Sequence, residues 1–196
     1  MKNVIRAIVV LLVVVLLFVQ SRPDRFHVER SATIGAPAES VFAHIDNFHR
    51  WRAWSPWEKL DPRMQRSFEG PESGVGAVYR WSGNNKAGAG SMKITQSTPG
   101  SVLAIDMEFL RPMKDSNVAT FTLTPEGAGT KVTWVFEGRM NFLSKAMCVF
   151  VNLDKMVGPD FERGLASLKS VAESAPAAAA SADTTAPAAP AGMSVK

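Results

Sequence analysis

The sequence has 196 residues and a formal net charge of +4, which leaves room for one domain of ordinary size plus shorter appendages. The charge excess lies at the ends, because residues 24–174 hold 18 Lys and Arg against 17 Asp and Glu, a net of +1. This near-neutral central region has no stripe of basic residues interleaved with aromatic ones, which argues against nucleic-acid binding. The single cysteine excludes an internal disulfide.

The first predicted element is an apolar helix between Val4 and Val19, interrupted only by Arg6. About 16 helical residues span about 24 Å, on the short side for a bilayer core of about 30 Å. No small-x-small cleavage pattern follows, so residues 1–23 favour an uncleaved membrane anchor over the alternative, a removed signal peptide. Lys2 and Arg6 would keep the N-terminus in the cytoplasm, which predicts a bacterial inner-membrane protein with its domain in the periplasm.

The other end, residues 174–196, consists mostly of Ala, Pro, Ser and Thr and offers almost nothing large to bury. Such a composition predicts a disordered extension. The folded domain is therefore expected to span residues 24–173.

After the anchor, alternating apolar and polar residues predict a first strand at residues 26–33. Residues 36–45 then predict a short helix with Pro37 in its first turn, and residues 46–51 a second helical turn. A densely aromatic segment follows at residues 51–57, where Pro56 prevents a regular strand or helix. It is predicted to be a loop.

From residue 64 onward the pattern has a period of two and predicts six strands, separated by turns rich in Gly, Pro and Asn. The predicted strands are residues 64–68, 75–81, 91–96, 102–109, 117–124 and 131–137. Consecutive hairpins imply an antiparallel meander with one apolar inward face. On the fourth of these strands Met107 and Phe109 face inward, whereas Asp106 and Glu108 face solvent.

A helical segment at residues 142–152 leads to a final amphipathic helix at residues 159–172. Pro159 suits its first position, and Phe161, Leu165 and Leu168 recur along one face. The strands are expected to wrap around that face.

This order of elements resembles the helix-grip fold of the START-like superfamily, also called Bet v 1-like or SRPBCC. Residues 32–42, ATIGAPAESVF, are similar to the opening I-x-A-P-x-x-V-(W/F) of its bacterial polyketide cyclase/dehydrase and lipid-transport family. Residues 51–57, WRAWSPW, resemble the family's W-x-x-W-S-P segment, and residues 74–77, GVGA, add to the match.

The resemblance covers residues 26–173. It implies an α+β fold, in which a curved antiparallel sheet of about seven strands wraps the long C-terminal helix, with two short helices after the first strand. It leaves function open, because the superfamily includes transport, storage, cyclisation and regulatory proteins.

A sheet curved around a helix can enclose a cavity lined by inward-facing side chains. The strand alternation, the aromatic segment and the apolar face of the final helix select nine candidate ligand-binding residues: Trp54, Trp57, Tyr79, Trp81, Met92, Met107, Phe109, Phe161 and Leu165. Trp54 and Trp57 are expected at the rim, and the hydroxyl of Tyr79 could orient a polar group of the ligand. Plain core packing is the alternative for each residue.

No catalytic residue, cofactor or metal site is predicted. His44 and His49 lie five residues apart in a helical region, so they do not share a helix face. Cys148 has no local activating partner and is interpreted as a buried structural thiol.

These features predict a membrane-anchored domain that binds a hydrophobic small molecule or lipid in an internal cavity. One alternative is a cyclase- or dehydratase-like enzyme, which requires a titratable group in the cavity, and the sequence supplies no convincing one. The other is a non-catalytic interaction module whose cavity is filled by side chains.

Overall fold

Seven strands and four helices follow one another along residues 1–149 and 151–174, the part of the chain that the computed structural model describes. The helices are α1 (Lys2–Gln20), α2 (Ala38–Ile45), α3 (Phe142–Cys148) and α4 (Leu153–Ser174). The strands are β1 (Arg25–Ile34), β2 (Gln65–Glu69), β3 (Val78–Ser82), β4 (Ala89–Thr98), β5 (Val102–Arg111), β6 (Asp115–Glu126) and β7 (Gly129–Arg139). Apart from Ser174, the segment predicted to be disordered lies outside the described residues.

The strands form one antiparallel sheet in the order β1-β7-β6-β5-β4-β3-β2, which confirms the predicted meander from β2 to β7. β1 extends the sheet beyond β7, in a register that runs from Arg25 opposite Arg139 to Ile34 opposite Thr130. The strand predicted at residues 75–81 begins three residues later. Its expected start lies in a turn where Gly74 and Gly76 adopt positive φ values of 78° and 94°.

One face of α4 fills the concave side of the sheet, as predicted. Phe161, Leu165 and Leu168 are each at most 2% exposed. Burying a side chain of this size contributes about 1.5–3 kcal/mol. The helix-grip fold that the sequence predicts is therefore confirmed, with α4 at its centre.

The predicted start of α4 was wrong, because the helix begins at Leu153 and Pro159 lies inside it. Arg30 on β1 contacts the helix on both sides of the proline. Its guanidinium bonds Asp154 at 2.8 Å on one side of Pro159 and Glu162 at 2.8 Å on the other. These tertiary contacts hold both halves of the helix against β1, which local helix signals cannot reveal.

The aromatic segment forms two short 3-10 turns, at Phe48–Ala53 and Pro56–Lys59, rather than one loop. A 3-10 helix has three residues per turn, so positions three apart lie on the same side. Phe48, Trp51 and Trp54 follow this spacing and are all buried, at 4% exposure or less. The segment thus packs into the core along one edge.

α1 is the one helix among the described residues that is long and apolar enough to cross a membrane. Its side chains are exposed, except that of Val19. α3 lies outside the sheet, beside the C-terminal end of α1. Cys148 in α3 is only half-buried, so its prediction as a buried thiol was wrong. Within the described residues, the last turn of this short helix is only partly covered.

Candidate functional site

A cavity of about 230 Å³ lies between the concave face of the sheet and the N-terminal half of α4. Val157 and Phe161 line it from the helix. The sheet wall consists of Tyr79, Trp81, Met92, Met107, Phe109, Ala119, Trp134 and Phe136. The remaining lining comes from Trp51, Ser55, Trp57, Glu58, Met64 and Ala87.

Strand register explains why these sheet residues meet. Tyr79 pairs with Met92, and Met92 pairs with Met107, so the three form one row across β3, β4 and β5. Side chains of one parity share a face of a sheet, which puts the whole row on the concave side. The inward placement predicted from alternation is confirmed here.

Trp81 occupies its position in the wall because its neighbour across the sheet is Gly90. A Cβ atom on Gly90 would lie only 2.5 Å from the Trp81 ring, so the indole covers bare backbone. The indole N–H donates to the carbonyl of Ala87 at 3.0 Å. A glycine in the facing strand is therefore what lets this large ring fold over the sheet.

Seven of the nine candidate residues line the cavity, whereas Trp54 and Leu165 do not. Trp54 is fully buried, donates to the carbonyl of His44 at 3.1 Å, and meets Trp134 edge-on. Its expected place at the rim was wrong, because the 3-10 turn directs it into the core between α2 and the sheet. Leu165, one turn beyond Phe161, packs in the core past the end of the cavity. Ligand binding by the other seven stays a prediction.

A carboxylate that the sequence did not reveal lies at the polar end of the cavity. Glu58 accepts a hydrogen bond from the Tyr79 hydroxyl at 2.5 Å on one oxygen. Its other oxygen accepts from the Arg66 guanidinium at 2.7 Å. The side chains of Glu58 and Arg66 are only 7% and 15% exposed, so the ion pair is mostly shielded from solvent. No local motif marks Glu58, because its partners come from two different strands.

Arg66 uses three of its five N–H donors in this arrangement, one on each guanidinium nitrogen. Besides its bond to the Glu58 carboxylate, it donates to the backbone carbonyls of Glu58 and Met64 at 3.1 and 2.7 Å. It is not part of the cavity lining. Among the residues that line the cavity, Glu58, Tyr79 and Ser55 are the ones that carry carboxylate or hydroxyl groups.

Tyr79 should stay protonated in the native protein well above the ordinary range of a phenol. Burial, followed by the hydrogen bond to Glu58, raises the pKa of Tyr79 far above 10. Folding then favours the protonated form. This contribution to stability is fully present below the unfolded-state pKa of about 10 and is lost progressively as pH rises from there through the higher pKa of the native state. Because Tyr79 is the chain's only tyrosine, phenolate absorbance reports on it alone. We expect this absorbance to appear only together with unfolding.

The control is Tyr79→Phe, which should remove this part of the alkaline loss of stability. The measurement is an ultraviolet titration alongside circular dichroism. Phenolate formation near pH 10 with unchanged circular dichroism would contradict the buried hydrogen bond.

Nine of the residues that line the cavity were not predicted from the sequence. Some of them lie in a sequence pattern that could have identified them. Trp134 and Phe136 alternate on β7 in the same way as the residues chosen on β5. Val157 lies one helical turn before Phe161. It was not selected as a candidate, because the helix was expected to start at Pro159. Glu58 and Ser55 depend on how the aromatic segment folds, for which no simple periodicity exists.

Within the described residues, no three His, Cys, Asp or Glu side chains come together in a way that could hold a metal ion. Asp106 and Glu108 are exposed on the convex face of the sheet, as predicted. The titratable groups at the cavity are therefore Glu58 and Tyr79.

Comparison with known proteins points to one family. The family model described as polyketide cyclase / dehydrase and lipid transport matches residues 25–173. No curated protein matches the chain.

Several solved structures share the fold. Protein CV1439 from Chromobacterium violaceum is 15% identical, with 78% of this chain and 99% of that chain covered and a TM-score of 0.54. Protein MLL2253 from Mesorhizobium loti is 16% identical, with 76% and 97% covered and a TM-score of 0.56. The Aha1 dimer from Colwellia psychrerythraea is 15% identical, with 76% and 96% covered and a TM-score of 0.54. At these identities the similarity concerns the fold alone.

Proposed function

The chain belongs to the polyketide cyclase / dehydrase and lipid transport family, and from this premise we propose that it binds a small hydrophobic molecule in the cavity beside α4. The observation that carries the proposal is the cavity itself, about 230 Å³ with walls of aromatic, Met and Ala side chains and one polar end. Apolar burial would drive binding, at about 25 cal/mol per Å² of surface removed from water. An open cavity also favours binding over the alternative of an interaction module with a filled core.

The volume indicates the size of a ligand that fits. At about 30 Å³ for each water in the liquid, the cavity has room for at least about eight water-sized groups. This suits a small ring system or an aliphatic chain of comparable size, so we propose single-chain or small cyclic molecules as the ligand class.

The polar end selects for a hydrogen-bond donor. The Glu58 carboxylate and the Tyr79 oxygen offer lone pairs to the cavity, while the nearby cation, Arg66, already uses its guanidinium on Glu58 and Met64. An anionic ligand would face a carboxylate without a free positive partner, which costs free energy in a poorly solvated site. A hydroxyl or amine on the ligand would instead complete the network.

We propose further that α1 anchors the protein in a bacterial inner membrane with the domain in the periplasm. Support comes from the apolar length of α1 and from Lys2 and Arg6 near its N-terminus. An anchor beside the cavity would keep the protein close to the bilayer, where apolar molecules concentrate.

The cavity proposal predicts that Ala119→Leu weakens ligand binding about tenfold, equivalent to about 1.4 kcal/mol. Ala119 lines the cavity from β6, and the larger side chain would occupy part of the free volume. The measurement is native mass spectrometry of the full chain released from detergent, with 1-octanol as probe and octanoate as the acid for comparison. We expect 1-octanol to bind and octanoate to bind more weakly.

The matched control is Ala104→Leu, the same change on the convex face of β5, which should leave binding unaltered. Equal losses in both variants would show that the effect is general destabilisation. A wild-type chain that takes up neither probe, under conditions in which a ligand-loaded member of the family keeps its ligand, would contradict the binding proposal.

A second candidate is an enzyme acting by proton transfer, because a carboxylate, Glu58, belongs to the cavity lining. Both of its oxygens already accept hydrogen bonds, and the raised pKa of Tyr79 makes the phenol a weak acid. These features favour binding over catalysis. The test is to identify the ligand that co-purifies with the protein and to follow its mass during incubation. Loss of one water in the wild type, but not in Glu58→Gln, would establish the enzyme.

A further inference from the structure

Large exposed apolar side chains cluster at one end of the domain. Outside residues 1–20, the described structure has nine, and five of them lie within residues 142–156. These five form what we call the α3 surface: Leu143 (61% exposed), Met156 (57%), Met147 (49%), Phe142 (48%) and Val151 (40%). Scattered single residues need no explanation, but a cluster of this size on a small domain marks a contact surface.

The hairpin between β5 and β6 adds to the same end of the sheet. Leu110 and Met113 in this hairpin are 54% and 39% exposed. The hairpin lies at the end where β7 finishes, because Asn117 near the start of β6 pairs with Gly138 near the end of β7. Exposed apolar side chains therefore occur on this hairpin at the end of the sheet from which α3 follows β7.

α3 turns its polar side toward α1 and its apolar side away. Phe142, Leu143 and Met147 share one face by helical spacing, whereas Lys145 points to the opposite side and is only 4% exposed. The Lys145 ammonium pairs with Asp24 and lies 3.4 Å from the carbonyl of Gln20, the last residue of α1. The helix is thus attached to the point where the apolar span ends.

This attachment sets the height of the α3 surface relative to a bilayer. The apolar run of α1 ends at Val19, so a group bonded to Gln20 lies in the headgroup region, which is about 5–7 Å thick on each side. An apolar helix face at that level is typically buried about 5–10 Å into the boundary with the acyl chains. Within residues 140–156 the one acidic residue is Asp154, and it pairs with Arg30, so little unpaired negative charge faces anionic lipids there.

The cavity lies at the same end of the domain. Ala87, in the hairpin between β3 and β4, and Phe109, near the end of β5, both line it. Met156 of the α3 surface is followed directly by Val157 in the cavity wall. A membrane touching the α3 surface would therefore also lie next to the cavity.

We propose that the α3 surface is inserted in the headgroup region of the membrane that α1 spans and holds the cavity end of the domain against the bilayer. The inference rests on the proposed anchoring by α1, and it adds a second contact that fixes the orientation of the domain. A ligand could then pass between the acyl-chain region and the cavity without crossing bulk water. The occupant of this surface is lipid rather than a protein, because the attachment to Gln20 already places it at the bilayer.

The test measures the depth of single labels on the full chain in phosphatidylcholine and phosphatidylglycerol vesicles. In a Cys148→Ser background, Leu143→Cys and Leu110→Cys receive an environment-sensitive fluorophore, and lipids with quenchers at two depths report its position. We expect both labels to be buried about 5–10 Å into the membrane, at the boundary between the headgroups and the acyl chains. The control is Val75→Cys, which is 60% exposed in the turn before β3 at the opposite end of the sheet and should not be quenched.

The outcomes separate this inference from the anchor. Co-flotation of the protein with vesicles while the label at position 143 is as accessible to water as that at position 75 would overturn the α3 contact and keep the anchor. A label shielded from both water and lipid would indicate a second protein copy on this surface and would also overturn it. Failure of the chain to float with vesicles would overturn the anchor and the α3 contact together.

Discussion

Replacing Trp134 by alanine is expected to lower the free energy of unfolding by about 3–5 kcal/mol, the range for truncating a large buried aromatic. Trp134 is 3% exposed, and its indole stacks on Phe121 at 4.6 Å and on Phe161 at 4.2 Å. Trp54 and Trp57 meet it edge-on at 5.7 and 5.5 Å. One side chain thus joins the sheet, α4 and the aromatic segment, and its loss would leave a void between all three.

The control for this prediction is Trp134→Phe. Among residues 1–149 and 151–174 the indole nitrogen of Trp134 has no hydrogen-bond acceptor, so phenylalanine removes a buried unpaired donor while keeping an aromatic ring. We expect this variant to lower the free energy of unfolding by less than about 1.5 kcal/mol. Urea unfolding of the full chain in detergent, followed by circular dichroism, measures both. A small and equal cost in the two variants would show that the aromatic stacking does not determine stability.

Replacing Glu58 by alanine is expected to cost about 2–4 kcal/mol of stability, because Arg66 and the Tyr79 hydroxyl would lose their shared acceptor. A charge left unpaired in a fully buried site would lower the free energy of unfolding by more than this. Here 15% of the Arg66 side chain remains exposed, so water offsets part of the loss. The same variant should also weaken binding of 1-octanol, since the cavity would lose its charged acceptor.

A double-mutant cycle separates the pair from its surroundings. Glu58→Gln with Arg66→Met removes both charges but keeps an acceptor for Tyr79, and we expect it to recover more than half of the loss seen in Arg66→Met alone. The exposed pair of Glu69 and Arg80, at 2.9 Å, is the matched control, and Glu69→Ala should cause no measurable change. Additive effects at positions 58 and 66 would contradict an energetic coupling between them.

Local patterns predicted the sheet side of the site well. Period-two alternation selected Tyr79, Met92 and Met107, and the register confirms that they form one inward row. The same rule applied to β7 would have added Trp134. Strand alternation is reliable here because side-chain direction in a strand follows from the backbone alone.

The loop and helix sides were predicted less well. Trp54 was expected at the rim and is buried, since the short 3-10 turn that controls its direction has no periodic signature as long as a strand or an α-helix. Pro159 suits a helix start by local rules, but the helix begins at Leu153, and Arg30 contacts it on both sides of the proline through Asp154 and Glu162. Both errors concern residues whose position depends on distant partners.

The sequence by itself determined the order of the elements, the antiparallel meander, the buried face of α4 and the resemblance to the family, because these follow from hydrophobic periodicity and turn residues along the chain. Only the tertiary structure decided that Glu58 meets Tyr79 and Arg66 at the cavity, and that Lys145 attaches α3 to the end of α1. The physical reason is that each of these contacts joins groups from different elements, and polar side chains of this kind have no pattern that fixes their partners until the chain is folded.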